Sequence, residues 1–168
     1  MKKSEFIQFY DQNASRIFRF VCLKVNSVRD SEDLTSEAFF KFWQNLKNNK
    51  KNRIDNPRAL LYKIANNLVI DFYRKRPRTA LILNPDDSIL TKIPDNKGDL
   101  NKELNIDADM NKVKIALNKV KNEYQDIIIW HYLDDFSVKE IAQILEKQEG
   151  TVRVMVHRAL KALKKEIQ

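Results

Sequence analysis

Residues 137–165, SVKEIAQILEKQEGTVRVMVHRALKALKK, hold two helical patterns separated by a break too short to join independent elements. Ser137 with Glu140 three residues later has the form of a capping box: Ser accepts from a free N–H and Glu reaches back to the cap. Ile141, Ala142, Ile144 and Leu145 then mark one apolar face at helical spacing. The pattern breaks at Glu146–Gly150 and resumes with Thr151, Val152, Met155, Val156, Ala159, Leu160 and Leu163. Small Ala142 admits a second helix at close range, with Ile141, Leu145, Val152 and Met155 wedged between the two. Such a pair is a helix-turn-helix, whose second helix enters the major groove of DNA. The face that this helix offers carries Arg153, His157, Arg158 and Lys161, side chains suited to phosphates and base edges.

Outside this stretch the composition points to helices as well. The 168 residues include only two glycines, and all four prolines (57, 77, 85 and 94) lie in the middle of the chain. Glycine and proline punctuate sheets and turns, and strand-like alternation is nowhere sustained. The expected class is all-α, as two small helical domains joined by a linker. Net charge is +8, unevenly placed. Residues 1–76 carry 16 Lys and Arg against 8 Asp and Glu, and residues 110–168 carry 11 against 8. The segment 77–109 between them carries 4 against 7, together with three prolines. The chain therefore divides into a basic domain 1–76, an acidic linker 77–109 and a basic domain 110–168. Two basic domains imply a polyanion, nucleic acid before membrane. No apolar run approaches the roughly 18 residues of a membrane span, and no signal peptide opens the sequence. The lone Cys22 reads as a small core residue, and a single thiol fits a reducing cytoplasm.

Taken in order, the first helix pattern runs from about Ser4 to Val25, with Phe6, Phe9, Tyr10, Ala14, Ile17, Phe18, Val21, Cys22 and Val25 on one face and Arg16, Arg19 and Lys24 outside it. The second starts at Asp30-Ser31-Glu32-Asp33, with Asp30 or Ser31 as cap, and runs through Leu34, Ala38, Phe39, Phe42, Trp43 and Leu46. Its aromatics, Phe39, Phe40, Phe42 and Trp43, are too many for one stripe, so part of them is expected to face a partner protein. After the basic stretch Lys47–Asp55, Asn56-Pro57 reads as N-cap and first helical residue. The helix to about Lys75 buries Leu60, Leu61, Ile64, Ala65, Leu68, Val69 and Phe72. Arg58, Tyr62, Lys63, Asn66, Asn67, Tyr73 and Arg74 run between them, followed by Lys75 and Arg76. Aromatic platforms beside cations suit unpaired bases, although a solvated face explains the same residues almost as well. From Met110 the pattern resumes with Val113, Ile115, Ala116, Leu117 and Val120. Residues Ile127, Ile128, Ile129, Trp130 and Tyr132 then form a buried run ended by Asp134-Asp135-Phe136. His131 reads as a partly exposed helix residue, with no second His or Cys at metal spacing. No metal or cofactor is expected. Neither a nucleophile–base pair nor a Gly-rich phosphate loop is present, so the chain is read as a binding protein and not an enzyme.

Three stretches in order resemble bacterial RNA polymerase sigma factors of the extracytoplasmic-function (ECF) group, which keep only regions 2 and 4. They are Asp30-Ser31-Glu32-Asp33-Leu34-Thr35-Ser36-Glu37-Ala38-Phe39; Leu61-Tyr62-Lys63-Ile64-Ala65-Asn66-Asn67-Leu68-Val69-Ile70-Asp71-Phe72-Tyr73-Arg74-Lys75-Arg76; and the helix-turn-helix with Gly150-Thr151-Val152-Arg153 and His157-Arg158-Ala159. The resemblance implies a region 2 that binds polymerase and the −10 element, and a region 4 that reads the −35 element. It implies that the helix matching Asp30–Leu46 docks on the β′ clamp helices, here through Asp33, Glu37, Phe40 and Trp43. It implies that Asn56, Arg58, Tyr62, Asn66 and Asn67 face the opened −10 element, with Arg74 on its phosphates and Asp71 as an anchor for a neighbouring cation. For the −35 element it implies Thr151, Arg153, Val154, His157, Arg158 and Lys161. The partners implied are core RNA polymerase (β′ and β), promoter DNA and an anti-sigma factor. The acidic linker would occupy the path of RNA. Two departures stand out: the turn glycine usual after the first helix of the pair is Glu146 here, and the usual Ser-Arg after Arg153 is Val154-Met155. The competing reading is a stand-alone helix-turn-helix regulator whose N-terminal domain senses a signal or dimerises. A recombinase or nuclease fragment ranks lower, since Asp30, Glu32 and Asp33 are explained as caps.

Overall fold

The computed structural model describes residues 1–25, 27–48, 54–75, 112 and 114–167. The acidic segment 77–109, Arg76, most of the basic stretch before Ile54, and the start of the pattern at Met110 lie outside the described residues. Among those described, every regular element is a helix, as expected. The chain forms two compact units, Met1–Pro94 and Asp95–Gln168.

In the first unit α1 (Lys3–Lys24), α2 (Val28–Asn48) and α3 (Pro57–Lys75) pack pairwise around one core. Ile17, Phe20 and Val21 of α1 meet Ala38, Phe39 and Phe42 of α2 and Leu61, Tyr62, Ala65 and Val69 of α3 in that core. The last turns of α1 are buried all round: Phe20 through Val25, Lys24 included, are each less than a tenth exposed. Lys24 was expected outside the apolar face, but its backbone stands where α3 closes over α1, and its carbonyl accepts a hydrogen bond from the Tyr73 hydroxyl. The aromatics of α2 divide as their surplus suggests. Phe42 stacks on Phe9 with ring centroids 5.0 Å apart, Phe39 lies 4.6 Å from Tyr10, and Trp43 leans 4.7 Å from Phe6. Phe40 is left 59% exposed.

The start of α2 differs from the sequence expectation. The helix begins at Val28, and the Ser27 hydroxyl accepts from the Asp30 N–H at 3.2 Å. Ser27 is thus the cap, and Asp30 sits in the first turn, where the helix dipole favours its carboxylate. Ser31 is buried instead and donates to the Ser27 carbonyl at 2.7 Å. At α3 the expectation holds: the Asn56 side-chain oxygen accepts from the Ala59 N–H at 2.9 Å, ahead of Pro57 at the first helical position.

In the second unit a helical stretch, 114–119, precedes α4 (Asn122–Ile128), a π-helical turn (Ile129–Leu133), α5 (Val138–Leu145) and α6 (Glu149–Ile167). The turn widens what looked like one continuous helix: the Asp134 N–H reaches back to the Ile129 carbonyl, and the Phe136 N–H to that of Trp130. Ile127 to Trp130 are buried, but Tyr132 is 46% exposed, because the wider turn rotates it out of the run in which it was placed. Ile115 is likewise exposed, its neighbours Ala116 and Leu117 taking the core positions. The His131 Nδ1 lies 2.9 Å from the Phe136 carbonyl, a backbone contact that fastens the wide turn to the segment after it.

Candidate nucleic-acid interface

Ser137 and Glu140 form the capping box that their spacing predicts. The Glu140 N–H donates to the Ser137 hydroxyl oxygen at 3.2 Å, and the Glu140 carboxylate accepts from the Ser137 N–H at 2.9 Å. Both ends of the box fix where α5 begins, which sets the register of Ile141, Ala142 and Ile144 against α6. At the other end of α5, Glu146 adopts the left-handed conformation (φ 54, ψ 41), and the Lys147 N–H bonds the Ala142 carbonyl at 3.0 Å. The turn therefore keeps the backbone that a glycine would supply and carries a side chain through it. Three residues later α6 starts.

Around α6 burial is one-sided. Val152 and Ala159 are fully buried, and Met155, Val156, Leu160 and Leu163 are partly covered beside them. Thr151, Arg153, Val154, His157, Arg158 and Lys161 are all exposed. At 100° per residue, Val154, His157 and Lys161 form the middle of the open arc, with Arg153 on one flank and Arg158 and Thr151 on the other. The Arg153 guanidinium is tethered to the Glu149 carboxylate at 3.6 Å, both groups well exposed. The six residues expected to read the −35 element thus share one solvent-facing surface. Val154, 49% exposed, puts an apolar group at its centre, where a thymine methyl can be met.

On α3 the expected set separates. Tyr62 is fully buried, 5.7 Å from the Phe20 ring, and Asn66 is 8% exposed. Neither offers a face to an unpaired base, a correction whose cause is the close approach of α1. Arg58 lies 5.8 Å over the Tyr62 ring, half-buried, and Asn56 is committed to the helix cap. The exposed members are Asn67 and Arg74, and they belong to a row that the sequence reading did not assemble: Lys63, Asn67, Ile70 and Arg74, at i, i+4, i+7 and i+11. That spacing is readable in the sequence once the core side of the helix is known. Asp71 holds Arg74 at 3.0 Å, as the anchor role requires. Asn66 Oδ1 is buried without a hydrogen-bond partner among the described residues, a feature that costs about 1–3 kcal/mol in a folded chain.

On α2, Asp33, Glu37 and Phe40 are exposed along one row, continued by Gln44. Glu37 pairs with Lys41 at 3.1 Å. Trp43 is turned away from that row, half-buried against Phe6 with Lys47 5.2 Å from its ring. Three of the four expected polymerase contacts therefore share a face, and Trp43 braces α1. Among the described residues no group of His, Cys, Asp and Glu could hold a metal ion, and no helix is long and apolar enough to cross a membrane.

Comparison with known proteins follows the same division. The family model for Sigma-70 region 2 matches residues 9–79, and that for Sigma-70, region 4 matches residues 112–163. The chain is 27% identical over 175 residues to the ECF RNA polymerase sigma factor SigW of Bacillus subtilis (strain 168), covering 96% of this chain and 88% of SigW. It is 26% identical over 161 residues to the ECF RNA polymerase sigma factor SigL of Mycobacterium tuberculosis, covering 95% and 86%. In fold it is similar to the sigma factor RpoE of Bartonella quintana, solved with the anti-sigma factor NepR, at a TM-score of 0.72 and 24% identity over 97% of this chain and 96% of that one. Two region matches in order, together spanning more than half of the sequence, and relatives of the same kind along nearly its whole length, lead to one conclusion: the chain belongs to the sigma-70 family of RNA polymerase sigma factors, in its ECF group.

Proposed function

We propose that this chain directs core RNA polymerase to promoters by two grips, one on each unit. The α6 arc, with Arg153, Val154, His157 and Arg158 at its centre and flanks and Thr151 and Lys161 beside them, reads the −35 element. Asn67 and Arg74, joined by Lys63 and Ile70, hold the −10 element, with Arg74 on phosphate. Asp33, Glu37 and Phe40 dock on the β′ clamp helices, the exposed ring of Phe40 entering an apolar site on the partner. The chain acts by binding and not by catalysis, in the cytoplasm, where the polymerase and the nucleoid are. An anti-sigma factor that covers these faces would hold it inactive, as a partner of the kind with which the similar RpoE was solved.

The observation that carries this reading is the one-sidedness of α6. Every residue of α6 expected to touch DNA is exposed, and the opposite face of that helix is sealed by Val152 and Ala159. A stand-alone regulator would have the same helix, but it would bind as a dimer on half-sites about 34–36 Å apart. The decisive experiment is co-purification with core polymerase followed by transcription from genomic fragments. Promoter-dependent transcription above core alone, from sites with two dissimilar elements, is the expected result. A dimer protecting palindromic half-sites, with no stimulation of core, would replace this function by the regulator.

A further inference from the structure

Gly150 lies in the first turn of α6, and nothing among the described residues accounts for its being a glycine. Its φ is not positive, so the backbone there is open to any L residue. A Cβ at this position meets no atom of the described residues within 4 Å, so no close packing of those helices excludes a side chain. Glycine loses more conformational freedom on entering a helix than alanine does, so the choice works against the fold. Position supplies the reason. Gly150 heads the row that continues through Val154, His157 and Lys161, at i, i+4, i+7 and i+11, the middle of the exposed arc. A recognition helix contacts base edges with its N-terminal residues. At that end the middle row is bare.

We propose that Gly150 is a specificity-determining position: its missing side chain lets the first turn of α6 seat against the base edges of the −35 element. A methyl group there holds the helix away from the groove floor. Bidentate Arg–guanine contacts on the flanks depend on hydrogen bonds that weaken steeply when stretched or bent, so a shift of ~1 Å is enough to lose them. The inference rests on the reading of α6 as the −35-reading helix.

The test uses full-length protein assembled with core polymerase, carrying Gly150→Ala or Gly150→Leu, both replacements being good helix formers. The expected result is an unfolding midpoint at or above that of the unsubstituted protein. Transcription from a duplex promoter should fall about tenfold with Ala and further with Leu. Transcription from a template with a pre-opened −10 element and no −35 element should be unchanged. Undiminished duplex transcription with both variants overturns the proposal. So does a lower midpoint with Ala, or an equal loss on the template lacking a −35 element, since these mark a structural or polymerase-binding role. An unsubstituted protein indifferent to any upstream element sinks the reading of α6 and this inference together. Dependence on that element which survives both substitutions sinks the inference alone.

Discussion

Glu146 carries a side chain through a backbone conformation that an L residue enters at a cost of roughly 1–2 kcal/mol. Glycine would remove that cost and give back part of it as unfolded-state freedom. Glu146→Gly is therefore expected to stabilise the second unit by about 0.5–1 kcal/mol, read as a higher midpoint in thermal unfolding. The neighbouring asparagines of α3 allow a sharper contrast. Asn67 is exposed and Asn66 is buried with an unpartnered oxygen. Asn67→Ala should reduce permanganate reactivity of the −10 strand in the open complex, while Asn66→Leu should leave it intact and keep or raise the unfolding midpoint, because an apolar group replaces an unsatisfied one. Equal effects of the two substitutions on opening would return Asn66 to the DNA. The sequence did not separate these residues, and the reason is geometric. Arg58, Tyr62 and Asn66 recur every four residues one step round the helix from Leu61, Ala65 and Leu68. A polar residue at that boundary is buried or open according to how closely α1 approaches, and spacing within α3 carries no record of that distance.

Whole helices were far more legible. Capping signals that act within four residues are local chemistry, so Ser137-Glu140 and Asn56-Pro57 could be read without the fold, and both are formed. Failure came where a second signal competed at short range: Ser27 caps α2 in place of Asp30 or Ser31, and the π turn at Ile129–Leu133 turns Tyr132 outward. The capping box at α5 fixes the helix that supports α6. Ser137→Ala should cost about 1 kcal/mol of stability in the second unit, and Ser137→Gly less, measured by denaturant unfolding at constant slope. The same one-sided logic made the arc of α6 predictable, because its apolar residues keep to one side at helical spacing, whereas α2 shows that a surplus of aromatics foretells exposure without naming which ring. Phe40 is the exposed one, and Trp43, expected beside it, is spent on Phe6.

At the scale of the molecule, the two surfaces proposed to face DNA lie on separate units, the α3 row on the first and the α6 arc on the second. Surfaces that lie on separate units and touch different elements of the promoter should contribute independently. Arg158→Ala is expected to cost about 1–3 kcal/mol of discrimination at one −35 position if the guanidinium is bidentate to guanine, against a uniform loss on all sequences if it sits on phosphate. Combined with Asn67→Ala, its effect on promoter occupancy should multiply, and a double variant no weaker than the worse single one would count against two separate grips. The buried end of α1 bears on how the first grip works. Phe20–Val25 are buried without a break, and α3 is fastened to them through Tyr73 and the Lys24 carbonyl. The row from Lys63 to Arg74 is therefore presented on a helix already ordered before DNA arrives. Capture of an opened strand then costs little protein conformational entropy, and the unit is preorganised for it. Its binding should accordingly have a heat-capacity change set by the strand's own unstacking and the small apolar area of Ile70, with no folding contribution from the protein.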